Sequence, residues 1–368
     1  MALNLALNLP AKVNPATAME WTMHNLRTAW RPSRRSLWWS CALLAAALTA
    51  APHAQPLPAS IAATASTTST TEAGAEAVEQ FTVQDFDWLD ASRGRLVPVR
   101  LYLPLRAAGA GPRPLVVFSH GIGGSRRGYS YLGQHWASQG YASLHLQHIG
   151  SDRALWSGNP LTLPLRLQAA AHEDEARARV HDLSFALNQL LAGPLAGRID
   201  ASRIVAAGHS YGANTALLAA GAEVVRDGQA VQLRDSRIKA AIVISAPPFY
   251  GEASPEKVLG GIRVPSLHIT ATEDVIRVPG YFSPATDRVA VYEATGGPAK
   301  ALAVFEGGSH SIFTDRAGTG GMLLNPQVKA ATQALSTAFL GSVFQGDREA
   351  LPLAAQRYGS LLSRFSVR

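Results

Sequence analysis

From Leu96 to His310 short apolar runs alternate with stretches whose apolar residues recur every three or four positions. "LVPVRLYLP" (96–104) has a two-residue period and predicts an early strand. "PLVVFSHG" (114–121), "YASLHLQH" (141–148), "RIVAAGHS" (203–210), "KAAIVISAPP" (239–248), "VPSLHITATED" (264–274) and "KALAVFEGGSH" (300–310) read as further short strands, several with no polar face. Between them the clearest helix is 173–191, where Ala176, Val180, Leu183, Leu187 and Leu190 share one face and an acidic "EDE" suits the positive end of the helix dipole. Apolar strands alternating with helices predict an α/β fold, a mostly parallel sheet flanked by helices on both faces. No internal repeat interrupts the pattern.

The first part of the chain follows a different rule. Arg31, Arg34 and Arg35 precede the apolar run "SLWWSCALLAAALTAA", which Pro52 ends. That order predicts a secretory signal peptide within residues 1–54, with Ala50, Ala51 and Ala54 as cleavage points; a retained membrane anchor is the alternative. "SRRSLWW" is also similar to a twin-arginine export signal, so the export route stays open, as does a start at Met19 or Met23. Residues 55–80, rich in Ala, Ser, Thr and Pro, read as a flexible spacer, which leaves 81–368 for one catalytic domain. The expected location is the periplasm or the exterior.

Composition narrows the classes. Of the 368 residues 47% are hydrophobic and 16% charged, which suits a large core and excludes a disordered chain. The net charge of +7 owes much to the N-terminal segment, and no basic block interleaved with aromatics or other nucleic-acid motif occurs, so no nucleic-acid partner is expected. The single cysteine, Cys41, lies in the signal, so a cleaved chain has no thiol nucleophile, thiolate metal site or disulfide.

"GHSYG" (208–212) places Ser210 between two glycines, after an apolar strand and before the small residues Ala213–Ala220. A serine on a sharp strand-to-helix turn exposes its hydroxyl above the sheet edge, and a glycine on either side lets strand and helix close up. A serine hydroxyl is a weak nucleophile until a base takes its proton. His310, in the glycine-bearing loop of "FEGGSHSIF", is the expected base, and Asp274, ending "LHITATED", the carboxylate that orients it, with Glu273 and Asp287 as rivals. The chain order Ser, Asp, His is the one this architecture requires. Backbone N–H groups of Ile122, in "SHGIGGSRRGY", and of Tyr211 are the expected donors to the oxyanion; the bland alternative for the glycine-rich loop is a plain turn.

"SHGIGGSRRGYSYLGQHWASQGY", "GHSYGANTA" and "GGSHSIF" resemble the α/β-hydrolase superfamily, in particular bacterial predicted dienelactone hydrolases and platelet-activating-factor acetylhydrolases. The resemblance covers Phe81 to the last helix and implies the α/β-hydrolase fold. True dienelactone hydrolases carry a cysteine where this chain has Ser210, which favours ordinary ester hydrolysis. Cutinase-like polyester hydrolases are also related, but many carry a C-terminal disulfide that this chain cannot form.

Trp156, Phe249, Tyr281 and Phe313, with Tyr250 and Phe282, fall in or beside loops after predicted strands and are expected to line an apolar acyl pocket. The long segment 150–171 is either a lid or a surface loop packed on the body. His145 and His148, three apart on a strand, would face opposite sides of the sheet, and no phosphate-binding or dinucleotide motif occurs, so no metal and no cofactor is expected. The expected activity is cleavage of short- to medium-chain carboxylic esters through an acyl-enzyme, with a small-molecule or lipid-like ester as partner. A lipase or polyester hydrolase, an acetylhydrolase of phospholipid-like esters, a serine peptidase and a non-catalytic binding member are the alternatives.

Overall fold

The computed structural model describes residues 80–105, 111–226, 228–249, 254–278 and 281–368. The expected signal peptide and all of the spacer but Gln80 lie outside them, as do Cys41 and Tyr250. In chain order the strands are β1 (Phe81–Asp90), β2 (Arg95–Pro104), β3 (Arg113–Ser119), β4 (Ala142–Leu146), β5 (Ile199–His209), β6 (Val224–Arg226), β7 (Gln229–Val231), β8 (Ile238–Ile244), β9 (Ser266–Glu273), β10 (Ile276–Val278), β11 (Tyr281–Ser283), β12 (Lys300–Ser309) and β13 (Leu362–Val367). The helices are α1 (Ser130–Ser138), α2 (Leu163–Ala170), α3 (Glu173–Ala192), α4 (Tyr211–Ala220), α5 (Pro255–Leu259), α6 (Thr286–Ala294), α7 (Leu324–Gln345) and α8 (Ala350–Arg357).

Nine strands form one sheet in the order β1-β2-β4-β3-β5-β8-β9-β12-β13. The six from β4 to β12 run parallel, and antiparallel pairs close both edges. β6–β7 and β10–β11 are separate two-stranded hairpins. Each face of the sheet is covered, as the alternation of elements predicts. Val180, Leu183 and Leu187 of α3 and Ala213 and Leu217 of α4 pack on one face; Leu132 and Trp136 of α1 and Val328, Leu335 and Phe339 of α7 pack on the other.

The two hairpins escape the reading of the sequence, and so do two strands of the nine-stranded sheet, β1 and β13, which lie at its edges and gain their partners from β2 and β12. A third differs in character. A two-residue period is usual for a strand with one solvated face, yet Val97, Val99, Leu101, Tyr102 and Leu103 of β2 are all buried, because α1 packs on one side of it and α3 on the other.

Parallel strands all end at one edge, and the loops that follow them meet there. β3 leads to β4 on one side while its other neighbour is β5, so the strand order reverses between β3 and β5. At such a switch point the loops on either side part and leave a crevice.

Candidate active site

Ser210 sits in that crevice, between the last residue of β5 and the first of α4. Its backbone has φ 55° and ψ −124°, a region non-glycine residues rarely occupy and which costs about 1–3 kcal/mol. The turn is held by the Ser210 N–H, which donates to the Ile244 carbonyl at the end of β8 (2.9 Å). Neither flanking glycine has a positive φ; both are there for space. A Cβ on Gly212 would lie 1.9 Å from the Ser119 carbonyl oxygen, and one on Gly208 2.2 Å from the Gly212 carbonyl oxygen.

Two later strand ends bring the other expected residues to the serine. His310 follows β12 after Gly307 and Gly308, both at positive φ, and its Nε2 is 2.8 Å from Ser210 Oγ. Asp274 follows β9, is fully buried, and its Oδ1 is 2.6 Å from His310 Nδ1, while Oδ2 accepts from Thr270 Oγ1 (2.8 Å). Burial alone would raise the Asp274 carboxyl, but the His310 hydrogen bond, the electrostatic pull of His310 and the Arg288 guanidinium (3.5 Å) outweigh it and hold the group well below the ordinary carboxylate range. The rival acids are elsewhere: Glu273 is exposed, and Asp287 accepts from Ser283 (2.6 Å).

The loop after β3 abuts the serine, since a Cβ on Gly121 would lie 3.2 Å from Ser210 Cβ. Among the described residues nothing accepts from the N–H of Ile122 or of Tyr211, the two expected donors. The Ile122 N–H has a fixed direction. His148 N–H donates to His120 Nε2 (3.1 Å), so the proton of that buried, neutral imidazole sits on Nδ1 and is donated to the Gly121 carbonyl (2.7 Å). That carbonyl shares a peptide plane with the Ile122 N–H, which therefore points the opposite way.

The expected acyl-pocket residues divide. Trp156 is half exposed, and its indole N–H donates to the Gly123 carbonyl (2.9 Å), one residue from Ile122. Phe249 is partly buried against the α3–α4 face of the core, and Tyr281 is half-buried on β11. Phe313 corrects the expectation: it is completely buried between His209 and Phe305, ring centroids 6.0 and 6.2 Å away, so it is core and presents no surface to a ligand. The 150–171 segment is not an irregular loop. It contains short turns of 3-10 helix and α2, with Leu155 buried and Trp156, Leu161 and Leu165 exposed. A cavity of about 270 Å³ lined by Arg113, Tyr141, Arg203 and Gln345 lies at the opposite end of the parallel strands.

His145 and His148 do face opposite sides. His145 stacks on Phe118 under α1, whereas His148 bonds to Asp182 of α3 (3.0 Å) and Ser119 (3.1 Å). His209, which sequence reading left without a role, bridges two parts of the site. Its Nε2 donates to the His310 carbonyl (2.9 Å), so its Nδ1 accepts from the Tyr129 hydroxyl (2.8 Å), whose oxygen lies 3.4 Å from the Gly121 N–H.

Comparisons with known proteins bear on the fold and on the kind of protein the chain is similar to. Residues 95–157, from β2 through the loop after β3 to Trp156, match the family described as "Platelet-activating factor acetylhydrolase, isoform II". Among solved structures, a ferulic acid esterase from Streptomyces cinnamoneus superposes with a TM-score of 0.56 at 23% identity, over 73% of this chain and 91% of that one. The fold is that of the α/β-hydrolases. Both matches are to ester hydrolases, and the family match spans the loop that carries Ile122. No curated protein matches the chain.

Proposed function

We propose that the protein is an exported serine hydrolase that cleaves carboxylic esters. One observation carries the reading: an unbroken hydrogen-bond line from Ser210 Oγ through His310 to buried Asp274, at 2.8 and 2.6 Å, on a serine whose backbone is held in a strained turn. In this mechanism His310 Nε2 takes the hydroxyl proton as Ser210 Oγ attacks the ester carbonyl. Asp274 holds the imidazole with its proton on Nδ1 and stabilises the positive charge that develops. The N–H groups of Ile122 and Tyr211 receive the oxyanion. His310 then gives its proton to the leaving alcohol, and a water activated by the same imidazole releases the acyl group from Ser210.

Short- to medium-chain acyl esters are the preferred substrate class, supported by the acetylhydrolase family match over the oxyanion loop. The exposed Trp156, Leu161 and Leu165, on the segment that follows β4 toward the site, favour lipid-like or polyester substrates as the second reading. Export rests on the N-terminal basic and apolar pattern and implies a periplasmic or extracellular site of action.

The test is hydrolysis of p-nitrophenyl esters from acetate to palmitate by the wild type and by Ser210→Ala. Loss of activity in the variant is expected, and the preferred acyl length separates the two substrate readings. Equal inactivity of two folded proteins would remove ester hydrolysis and turn attention to amides and to ligand binding.

A further inference from the structure

An oxyanion site built from Ile122 and Tyr211 takes its donors from two separate segments, the loop after β3 and the first residue of α4. Something must fix their spacing, because a donor misplaced by about 1 Å costs on the order of 100-fold in rate. One side chain touches both segments. Arg179, on α3, is completely buried. Its Nη2 donates to the His120 carbonyl, two residues before Ile122. Its Nη1 donates to Ser151 Oγ (2.7 Å), and the Ser151 carbonyl accepts from Gly123 N–H (2.8 Å), the residue after Ile122. The loop is thus tied on both sides of its donor.

The same guanidinium holds the other segment. Its Nε donates to Thr215 Oγ1 (2.9 Å), and Thr215 donates in turn to the Tyr211 carbonyl (3.1 Å). The guanidinium carbon lies 4.5 Å from the centroid of the Tyr211 ring. We infer that Arg179 is the positioning residue of the oxyanion site, a rigid planar clamp that sets the Ile122 and Tyr211 N–H groups at the separation the tetrahedral intermediate requires. This rests on the reading of Ser210 as an ester-attacking serine.

The partners argue against a role confined to stability. Two buried carboxylates, Glu175 and Asp182, lie on the same helix, yet Arg95 pairs with both, Arg93 with Asp182, and His148 with Asp182. Among the described residues no carboxylate lies within ion-pair distance of Arg179; its hydrogen-bond acceptors are a carbonyl and two hydroxyls at the site. Burial lowers its pKa to about 10, which leaves it charged at neutral pH. Lysine could supply a charge but not three donors in one plane.

The test uses the full chain as wild type, Arg179→Lys, Thr215→Val and Ser210→Ala, with a p-nitrophenyl ester as substrate and an alkyl trifluoromethyl ketone as a mimic of the tetrahedral intermediate. Arg179→Lys is expected to lower kcat by about 10- to 100-fold with KM nearly unchanged, and to weaken ketone binding by the same factor. A folded Arg179→Lys protein with wild-type kcat and ketone affinity overturns the inference while leaving the ester-hydrolase reading intact, provided Ser210→Ala is inactive. Should Arg179→Lys fail to fold by circular dichroism, Thr215→Val decides. A matched fall of several-fold in kcat and ketone affinity supports the clamp, and unchanged values overturn it. A wild type that neither hydrolyses esters nor labels at Ser210 with a fluorophosphonate brings down both readings.

Discussion

The imidazole of His209 holds the backbone of His310: Nε2 donates to the His310 carbonyl at 2.9 Å, and the two rings lie 4.8 Å apart. The residue before Ser210 thus fixes the segment that carries His310. Burial, followed by the proximity of His310, lowers the His209 pKa to about 3, so it stays neutral and keeps its donor and acceptor roles. His209→Ala is expected to reduce kcat by roughly 10- to 100-fold with little change in KM, because the base loses its register with Ser210. His209→Gln, which offers a donor to the same carbonyl, should retain more activity. Steady-state kinetics of the two variants check this, and equal losses in both would count against the hydrogen bond.

Gly212 tests the turn itself. A methyl group there would lie 1.9 Å from the backbone oxygen of Ser119, and backbone in a packed sheet cannot step aside. Gly212→Ala should therefore lower stability by at least about 1–3 kcal/mol, the usual cost of overpacking, or prevent folding. Thermal unfolding of the soluble fraction measures it; a variant as stable as the wild type would mean that the turn is looser than described.

Asp274 and its rivals can be separated by charge removal. Asp274→Asn should lose about 10⁴-fold in kcat, since the amide no longer holds the proton on His310 Nδ1. It should also destabilise the fold by about 3–5 kcal/mol, because buried Arg288 loses the carboxylate that, among the described residues, faces it within ion-pair distance, at 3.5 Å. Glu273→Gln, at an exposed position, should leave both quantities unchanged. Kinetics and urea denaturation of the pair provide the comparison.

Acid should weaken the protein earlier than carboxylate protonation alone would. Burial lowers His145, His148, His209 and His268 from 6.5 to about 3. Between those values the unfolded chain binds protons that the folded chain refuses, so stability is full above pH 6.5 and falls as pH drops toward 3. Each group contributes up to about 1.4 kcal/mol per pH unit. The low Asp274 and Asp182 carboxyls add a loss of the same sign only below the ordinary aspartate value of 3.8. Urea midpoints from pH 8 to pH 4 test this, and His268→Gln should flatten the slope. A profile level down to pH 4 would contradict the buried, neutral state.

What could be read from the chain and what could not follows from distance along it. The sharp turn at Ser210 leaves a local signature, because the glycines two residues either side answer a steric need within five positions. Asp274 and His310 were legible from their place after apolar runs. Phe313 was misread because a loop aromatic looks the same whether it faces a ligand or fills the space under His209. Arg179 and His209 had no local signal, since their partners lie in other segments. One trace was present on α3: Glu175, Arg179, Asp182 and Ala186 recur at steps of four, three and four and are all buried, a second inward stripe beside the apolar one. Periodicity scored on hydrophobic residues alone passes over such a stripe.

The three residues of the Ser210–His310–Asp274 line hang from the ends of three different parallel strands, and helical crossovers separate those strands along the chain. No two of the strands carrying them are joined by a hairpin, so no single tight turn brings any two of the three residues together. A chain with only β1 to β5 in place has Ser210 without Asp274 or His310 beside it. On the proposed reading, reactivity of Ser210 belongs only to a chain in which β9 and β12 are both in place beside β8, so an active protein reports a complete sheet.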